Sequence, residues 1–307
     1  MIDVLLITEY YRAGRKEWGV SNTEHNYLGS LECTSFVNVR ARYYDRDEYT
    51  DGNLLTECLC NPPNVIVFSE TSHSKLNPDY VTLACITRTL KIPIIMLWCD
   101  SDKDDIFMME GKYPFVSLHA LFDHFDPTPY TKTPHRYLGI FCPQDPRWLY
   151  QDNRPRDIPV SFAGSRSNDG DRRGHIDTIE EAGILVYTRG GRGEDDLSMQ
   201  EYTDIYRRSL ITLNFSRPDA LKGRLFEATM CGALLMEPAH THYYRYYNAG
   251  SEVVVYSGKT DLVEKVKYYL EHDNERKTIA EAGYLRSREW NNGVFWSTVF
   301  RRIGLSI

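Results

Sequence analysis

The chain has 307 residues, 42% of them hydrophobic and 26% charged. That is long for one ordinary core and too apolar for general disorder, so two globular domains are expected. The formal net charge of −7 repels phosphate backbones at long range, so binding a polyanion would need a local basic patch. The longest apolar run, Ile92–Cys99, falls far short of the roughly 20 residues of a membrane helix. The opening MIDVLLITEYY carries an acid where an export signal carries lysine or arginine, which points to a soluble, cytoplasmic protein.

Short apolar strands alternate with longer helical segments, the pattern of α/β layering around a largely parallel sheet. In the first half, strands are predicted at Val4–Thr8, Val65–Ser69, Ile92–Leu97 and Phe115–Leu118, with Val81–Leu90 as the helix crossing between the second and third. No signal separates strand from helix in Leu28–Val39, and a helix through Tyr27–Cys33 fits it. Asp123–Arg147 holds five prolines, a density that stops regular structure and suits a connector between domains. The seven cysteines are scattered; only Cys58 and Cys60 lie close, and none has zinc-ligand spacing. Reduced core thiols are expected.

The second half repeats the grammar. Strands are predicted at Val160–Ala163, Leu185–Thr188, Ile211–Phe215, Ala233–Met236 and Glu252–Val255. Between them lie helices at Arg172–Ala182, closed by Gly183, then Met199–Ser209 and Arg224–Cys231; a broken helical stretch follows Leu262. The loop Arg189–Asp196 holds three glycines. Two such units joined by a Pro-rich connector imply a cleft, and parallel sheets bind ligands at the C-terminal ends of their strands.

Two segments carry chemistry. In Val160-Ser-Phe-Ala-Gly-Ser-Arg166, with Arg172 and Arg173 opening the next helix, a strand ends in a glycine turn before a helix N-terminus. Free N–H groups and a positive dipole end make that an anion site, which arginines reinforce. In Asp219-Ala-Leu-Lys222-Gly-Arg224-Leu-Phe-Glu227, cations stand at a helix start, where the macrodipole disfavours them unless an anion is bound. Glu227 follows one turn inside the helix, where a carboxylate can accept from ribose hydroxyls.

The order IPVSFAGSR, YTDIYRRSLITLNFS, LKGRLFEATMCGALLMEP and AGSEVVVYSGKTDLVEKVKYYLEHDNERKTIAEAG resembles the GT-B glycosyltransferases. More narrowly it is similar to their spore-maturation (CgeB-like) branch, with a glycosyl transferase group 1 type C-terminal domain. The resemblance covers about Ile158–Arg288 and is supported by NPPNVIVF and KIPIIMLWCD in the first half. It implies two Rossmann-like α/β domains facing across a cleft: residues 1–150 on the acceptor side, 151–285 binding the donor, and 286–307 packing back on the N-terminal domain. Trp290, Phe295, Trp296 and Phe300 would form the buried face of that last helix, about Tyr284–Arg302.

The implied reaction is hexosyl or related transfer from a UDP- or GDP-sugar to a carbohydrate or lipid-linked acceptor, with no cofactor and no metal. Glu227 would hold the ribose, and Asp219, an aspartate where many relatives have glutamate, would contact the sugar. Gly164, Arg166 and Arg172 would flank the diphosphate, with Lys222 and Arg224 on its other side. Cations there stabilise charge that develops on the leaving group. An inverting enzyme also needs a base in the first domain; Glu9, His25, His73 and Asp100 fall near strand ends or in loops.

Three alternatives compete. Asp100-Ser-Asp102 follows an apolar strand as the metal-binding motif of GT-A glycosyltransferases does, although Asp45-Arg-Asp47 repeats the pattern without such a strand. Two domains around a cleft also describe a non-catalytic nucleotide-sugar binding protein. A DNA-modifying GT-B glycosyltransferase would need Arg12, Arg15, Arg154 and Arg156 to gather, but no aromatics interleave them and the net charge weighs against nucleic acid.

Overall fold

Ile2–Thr8, buried at every position but Asp3, forms β1, the strand from which the first sheet grows. The structure, a computed structural model, describes residues 1–21, 24–46, 48–70, 76–123, 126–166, 171–190, 197–216 and 220–307. It divides into two compact units, Met1–Asp145 with Asn292–Ile307, and Pro146–Asn291.

In the first unit, β1 is followed by a helical turn at Glu24–Leu28, α1 (Gly29–Glu32) and β2 (Val37–Tyr43). Then come α2 (Asp51–Cys60), β3 (Val65–Ser69), α3 (Tyr80–Thr89) and β4 (Ile94–Trp98). The series closes with α4 (Asp105–Lys112), β5 (Leu118–Leu121) and β6 (Tyr137–Gly139). The sheet is parallel in the order β2-β1-β3-β4-β5-β6. Every residue of β3 and β4 is buried, as expected where helices cover both faces.

Three expectations shift here. Pairing of Ile95 with Leu118 starts β5 three residues later than predicted. Val116 is held in a turn instead, its N–H donating to Tyr113 and its carbonyl accepting from Arg136 Nε at 2.9 Å. The Pro-rich Asp123–Arg147 is not wholly irregular, because β6 lies between its prolines as an edge strand, where proline neighbours are tolerated. Leu28–Val39 divides between α1 and the start of β2, a strand whose Arg40 and Arg42 guard an open sheet edge.

The second unit runs β7 (Ile158–Ala163), α5 (Arg172–Glu181), β8 (Val186–Arg189), α6 (Met199–Arg208) and β9 (Ser209–Leu213). It continues with α7 (Arg224–Met230), β10 (Leu234–Pro238), β11 (Val254–Tyr256), α8 (Gly258–Glu271) and α9 (Asp273–Ser287). Its parallel sheet has the order β11-β10-β9-β7-β8. Ser198 and Glu201 cap α6 reciprocally, the arrangement that satisfies two otherwise orphaned N–H donors. Gly283 lets α9 approach the chain before β11, since a Cβ there would stand 2.3 Å from the Glu252 carbonyl. The AGSE and AEAG segments are therefore packing.

The last helix is not continuous from Tyr284. Turn hydrogen bonds at Arg288–Trp290 separate α9 from α10 (Asn292–Arg302). Phe295, Trp296, Val299 and Phe300 are fully buried in the first unit, where Trp296 Nε1 donates to Ser30 Oγ at 3.1 Å. Trp290 belongs to the second unit and donates to the Tyr246 carbonyl at 3.2 Å. Only two of the seven free cysteines, Cys58 and Cys231, are buried, so core thiols are the minority.

In both sheets the strand order reverses beside the first strand, between β1 and β3 and between β7 and β9. Chains leaving the two strands there depart to opposite faces, opening a crevice at the C-terminal ends.

Candidate functional site

Arg224, the first residue of α7, spans the reversal point of the second sheet. Its Nη2 donates to the Ala163 carbonyl at the end of β7 (2.8 Å), and its Nη1 to Asn214 Oδ1 just beyond β9 (2.9 Å). The guanidinium lies 4.8 Å from the Phe162 ring centroid, and that of Arg172 lies 5.1 Å from the same ring. One phenyl ring thus supports two cations. Arg172 is further held by the Ser165 carbonyl at 2.7 Å. Burial disfavours the Arg224 cation, but Tyr206, Tyr202 and Glu227 around it outweigh that.

Gly164 supplies space more than donors. Its own N–H is taken by the Arg189 carbonyl at 2.7 Å, contrary to the expectation of a free donor. At φ +154° a Cβ would stand 2.9 Å from Phe162 Cζ and 3.2 Å from Arg224 Nη2. Gly190, at φ +101°, backs onto it, with its own Cβ position 3.3 Å from the Gly164 nitrogen.

One turn along α7, Glu227 is buried. Tyr202 Oη donates to its Oε2 at 2.6 Å, Tyr206 Oη reaches the same oxygen at 3.4 Å, and Tyr206 also donates to Tyr202 Oη at 2.7 Å. Burial raises the carboxyl's pKa, and the Tyr202 bond and nearby Arg224 oppose the rise. Both tyrosines stand four residues apart on one face of α6, a spacing that places them side by side.

Other expected donor residues are placed differently. Arg166 is exposed and pairs with Glu180 at 2.6 Å. Lys222 is half-buried in the turn before α7, its carbonyl accepting from Leu225. Asp219 and His73 lie outside the described residues, as does Asp47. Sequence reading missed Tyr202, Tyr206, Asn214 and Glu237; the paired tyrosine spacing and an acid closing the apolar run ALLMEP were the available signals.

In the first unit, Glu9 directly follows β1 at that sheet's reversal point. It is buried, and Ser21 Oγ donates to its Oε1 at 2.6 Å. Asp100 is exposed, two residues past β4, with φ at +57°; His25 is half-buried in the turn before α1. Asp102 accepts from the Asp104 N–H at 2.9 Å, and its own N–H donates to Asp105 at 2.8 Å, the geometry of a helix entry. Asp45 accepts from the Tyr10 and Tyr11 N–H groups, each at 2.7 Å. Among the described residues no group of three or more His, Cys, Asp or Glu could hold a metal ion, and no helix is long and apolar enough to cross a membrane. The basic patch needed for DNA loses two members: Arg154 is paired with Asp152 and Asp204, and Arg156 donates to the Tyr206, Ser209 and Cys231 carbonyls.

Residues 150–292 match the family model described as glycosyl transferase-like. A comparison with curated proteins finds no match. Among solved structures, the chain is similar to Anabaena HepE in complex with UDP-glucose, at 11% identity and a TM-score of 0.64 over 99% of this chain and 98% of that one. It is similar to a glycosyltransferase from Rickettsia africae at 9% identity and a TM-score of 0.65, over 99% of both chains. Sucrose-phosphate synthase from Thermosynechococcus elongatus gives 11% identity and a TM-score of 0.61, again over 99% of both. At such identities the likeness is one of fold, and the fold is that of the GT-B glycosyltransferases, two Rossmann-like α/β domains.

Proposed function

We propose that this chain is a metal-independent glycosyltransferase that moves a hexosyl or related sugar from a nucleoside-diphosphate donor of the UDP or GDP type to a carbohydrate or lipid-linked acceptor. The observation that carries the reading is Arg224, pinned across the ends of β7 and β9 with Arg172 on the same ring and Glu227 one turn away. The UDP-glucose complex of HepE supports a donor of this kind. The motif order fits the CgeB-like branch; residues 1–150 take the acceptor role and 151–285 the donor role, and within 286–307 the closing role falls to α10, residues 286–291 staying with the second unit.

Glycosyl transfer leaves negative charge on the departing diphosphate. Arg224 and Arg172 present positive charge already oriented by protein partners, so little reorganisation accompanies the reaction. Glu227 Oε1, which carries neither tyrosine bond, accepts from a ribose hydroxyl. Glu9 takes the acceptor's proton: of the three base candidates among the described residues it is the one at a strand-order reversal, where ligands gather, and a carboxylate within reach of a hydroxyl serves as a general base. Asp102 is occupied at the entry to α4, which favours this assignment over an aspartate-bound metal.

A thermal-shift screen of nucleoside diphosphates and their sugars tests the reading, since stabilisation grows with the logarithm of ligand over Kd. One base should stand out, and its sugar nucleotide should release nucleoside diphosphate in the presence of excess EDTA. Absence of both a shift and any release would refute the proposal; a shift without release would leave a binding protein.

A further inference from the structure

Behind Arg224 lies a hydrogen-bonded chain that donor binding leaves unexplained. Glu237 on β10 is fully buried, as is Asn214. Thr241 Oγ1 donates to Glu237 Oε1 at 2.7 Å, and Asn214 Nδ2 donates to Glu237 Oε2 at 2.7 Å. The other end of the same amide, Asn214 Oδ1, accepts from Arg224 Nη1 at 2.9 Å. Tyr256 Oη donates to the Asn214 backbone carbonyl at 2.7 Å, so the residue is fixed by main chain and side chain together. A buried carboxylate is costly, and leucine would fill the volume without that cost.

The direction of the chain supplies a reason. A guanidinium only donates, so Asn214 must turn its amide oxygen toward Arg224 and its nitrogen toward Glu237, whose facing oxygen accepts. A carboxylate touching Arg224 directly would hold it equally well but would also neutralise it. The interposed amide orients the guanidinium and keeps the Glu237 carboxylate out of direct contact with it.

We infer that Asn214 and Glu237 are positioning residues, which aim Arg224 at the donor's diphosphate without a carboxylate of their own pairing directly with it. The inference rests on the donor-site reading of Arg224. Its test is calorimetric titration of the full chain with UDP, GDP, uridine and guanosine, in wild type and in the variants Arg224→Ala, Glu237→Leu, Glu237→Gln and Asn214→Asp.

Glu237→Leu removes the acceptor, and Asn214→Asp places a carboxylate against Arg224. Each should weaken the preferred diphosphate about tenfold to hundredfold, the worth of one charged hydrogen bond, and leave the nucleoside unaffected. Glu237→Gln can still accept from Asn214 and donate to Thr241, so it should restore diphosphate binding to within about threefold. Melting curves identify any variant that is unfolded, and Asn214→Asp with Glu237→Gln decides the matter if Glu237→Leu is. Equal losses for nucleoside and diphosphate would overturn the positioning role, as would wild-type diphosphate binding in Asn214→Asp while Arg224→Ala loses it. Wild-type protein that binds neither diphosphate, or an Arg224→Ala variant that binds as wild type does, would instead remove the donor-site reading and this inference with it.

Discussion

Glu227→Ala separates the two tasks given to one carboxylate. Inside the fold, the loss falls on Tyr202, whose hydroxyl gives up its 2.6 Å acceptor; Tyr206 keeps Tyr202 Oη at 2.7 Å. One stranded hydroxyl costs about 1–3 kcal/mol, partly offset because burial already disfavours the ionised carboxyl. A net loss of about 1–2 kcal/mol is expected in chemical denaturation. At the ligand, a ribose hydroxyl loses a charged acceptor, worth about 1.5–3 kcal/mol, so nucleoside diphosphate should bind about tenfold to hundredfold more weakly. Pyrophosphate lacks a ribose and meets the same arginines, so its affinity should not fall. Calorimetric titration with both ligands reads the difference, and Tyr202→Phe, which keeps the carboxylate, should lose stability alone. Parallel weakening of pyrophosphate and nucleotide would refute the ribose assignment.

Gly164→Ala forces a methyl against Phe162 and Arg224; it should lower stability by about 1–3 kcal/mol in denaturant titration and depress sugar transfer more than tenfold, roughly the loss of one oriented donor. His119, which accepts from Trp98 Nε1 at 3.0 Å, is drawn from 6.5 down to about 3 by burial and then by Arg136. The unfolded chain therefore binds a proton that the folded one refuses, and stability should fall by up to about 5 kcal/mol as pH drops from 6.5 to 3; His119→Phe should flatten that slope in melts of the first unit. Glu237 behaves oppositely, because burial lifts it from 4.5 to about 7. Its folded form holds a proton longer, so stability should decline by about 3 kcal/mol as pH rises from 4.5 to 7, a decline that Glu237→Gln should abolish in melting-temperature profiles.

Buried strands were the most legible part of the sequence: β1, β3 and β4 are near-continuous apolar runs, and Asn61-Pro-Pro-Asn64 and Pro93 mark where β3 and β4 begin. β2 was not, because as an edge strand it is fully buried at no position and its Arg40 and Arg42 read as surface. β6 hid among prolines, whose effect on one residue says little about the next three. The Arg224–Glu227 spacing was readable because it is local to one helix turn. Arg166 looked equivalent to Arg172, yet only pairing with Glu180 tells them apart, and such pairing depends on where α5 lies. Asn214 and Glu237 are 23 residues apart and meet only because β9 and β10 are neighbours, a relation created by sheet order.

The first unit borrows α10 from beyond the second, so its aromatic cluster stays incomplete until residue 302 has been synthesised. The contiguous stretch from Pro146 to Asn291 carries its whole core within itself and can settle first. Folding during translation should therefore run against chain order, the middle before the beginning. Made separately, residues 146–291 should fold by themselves and residues 1–145 should lack their closing helix, and supplying the peptide 292–307 in trans should rescue the latter.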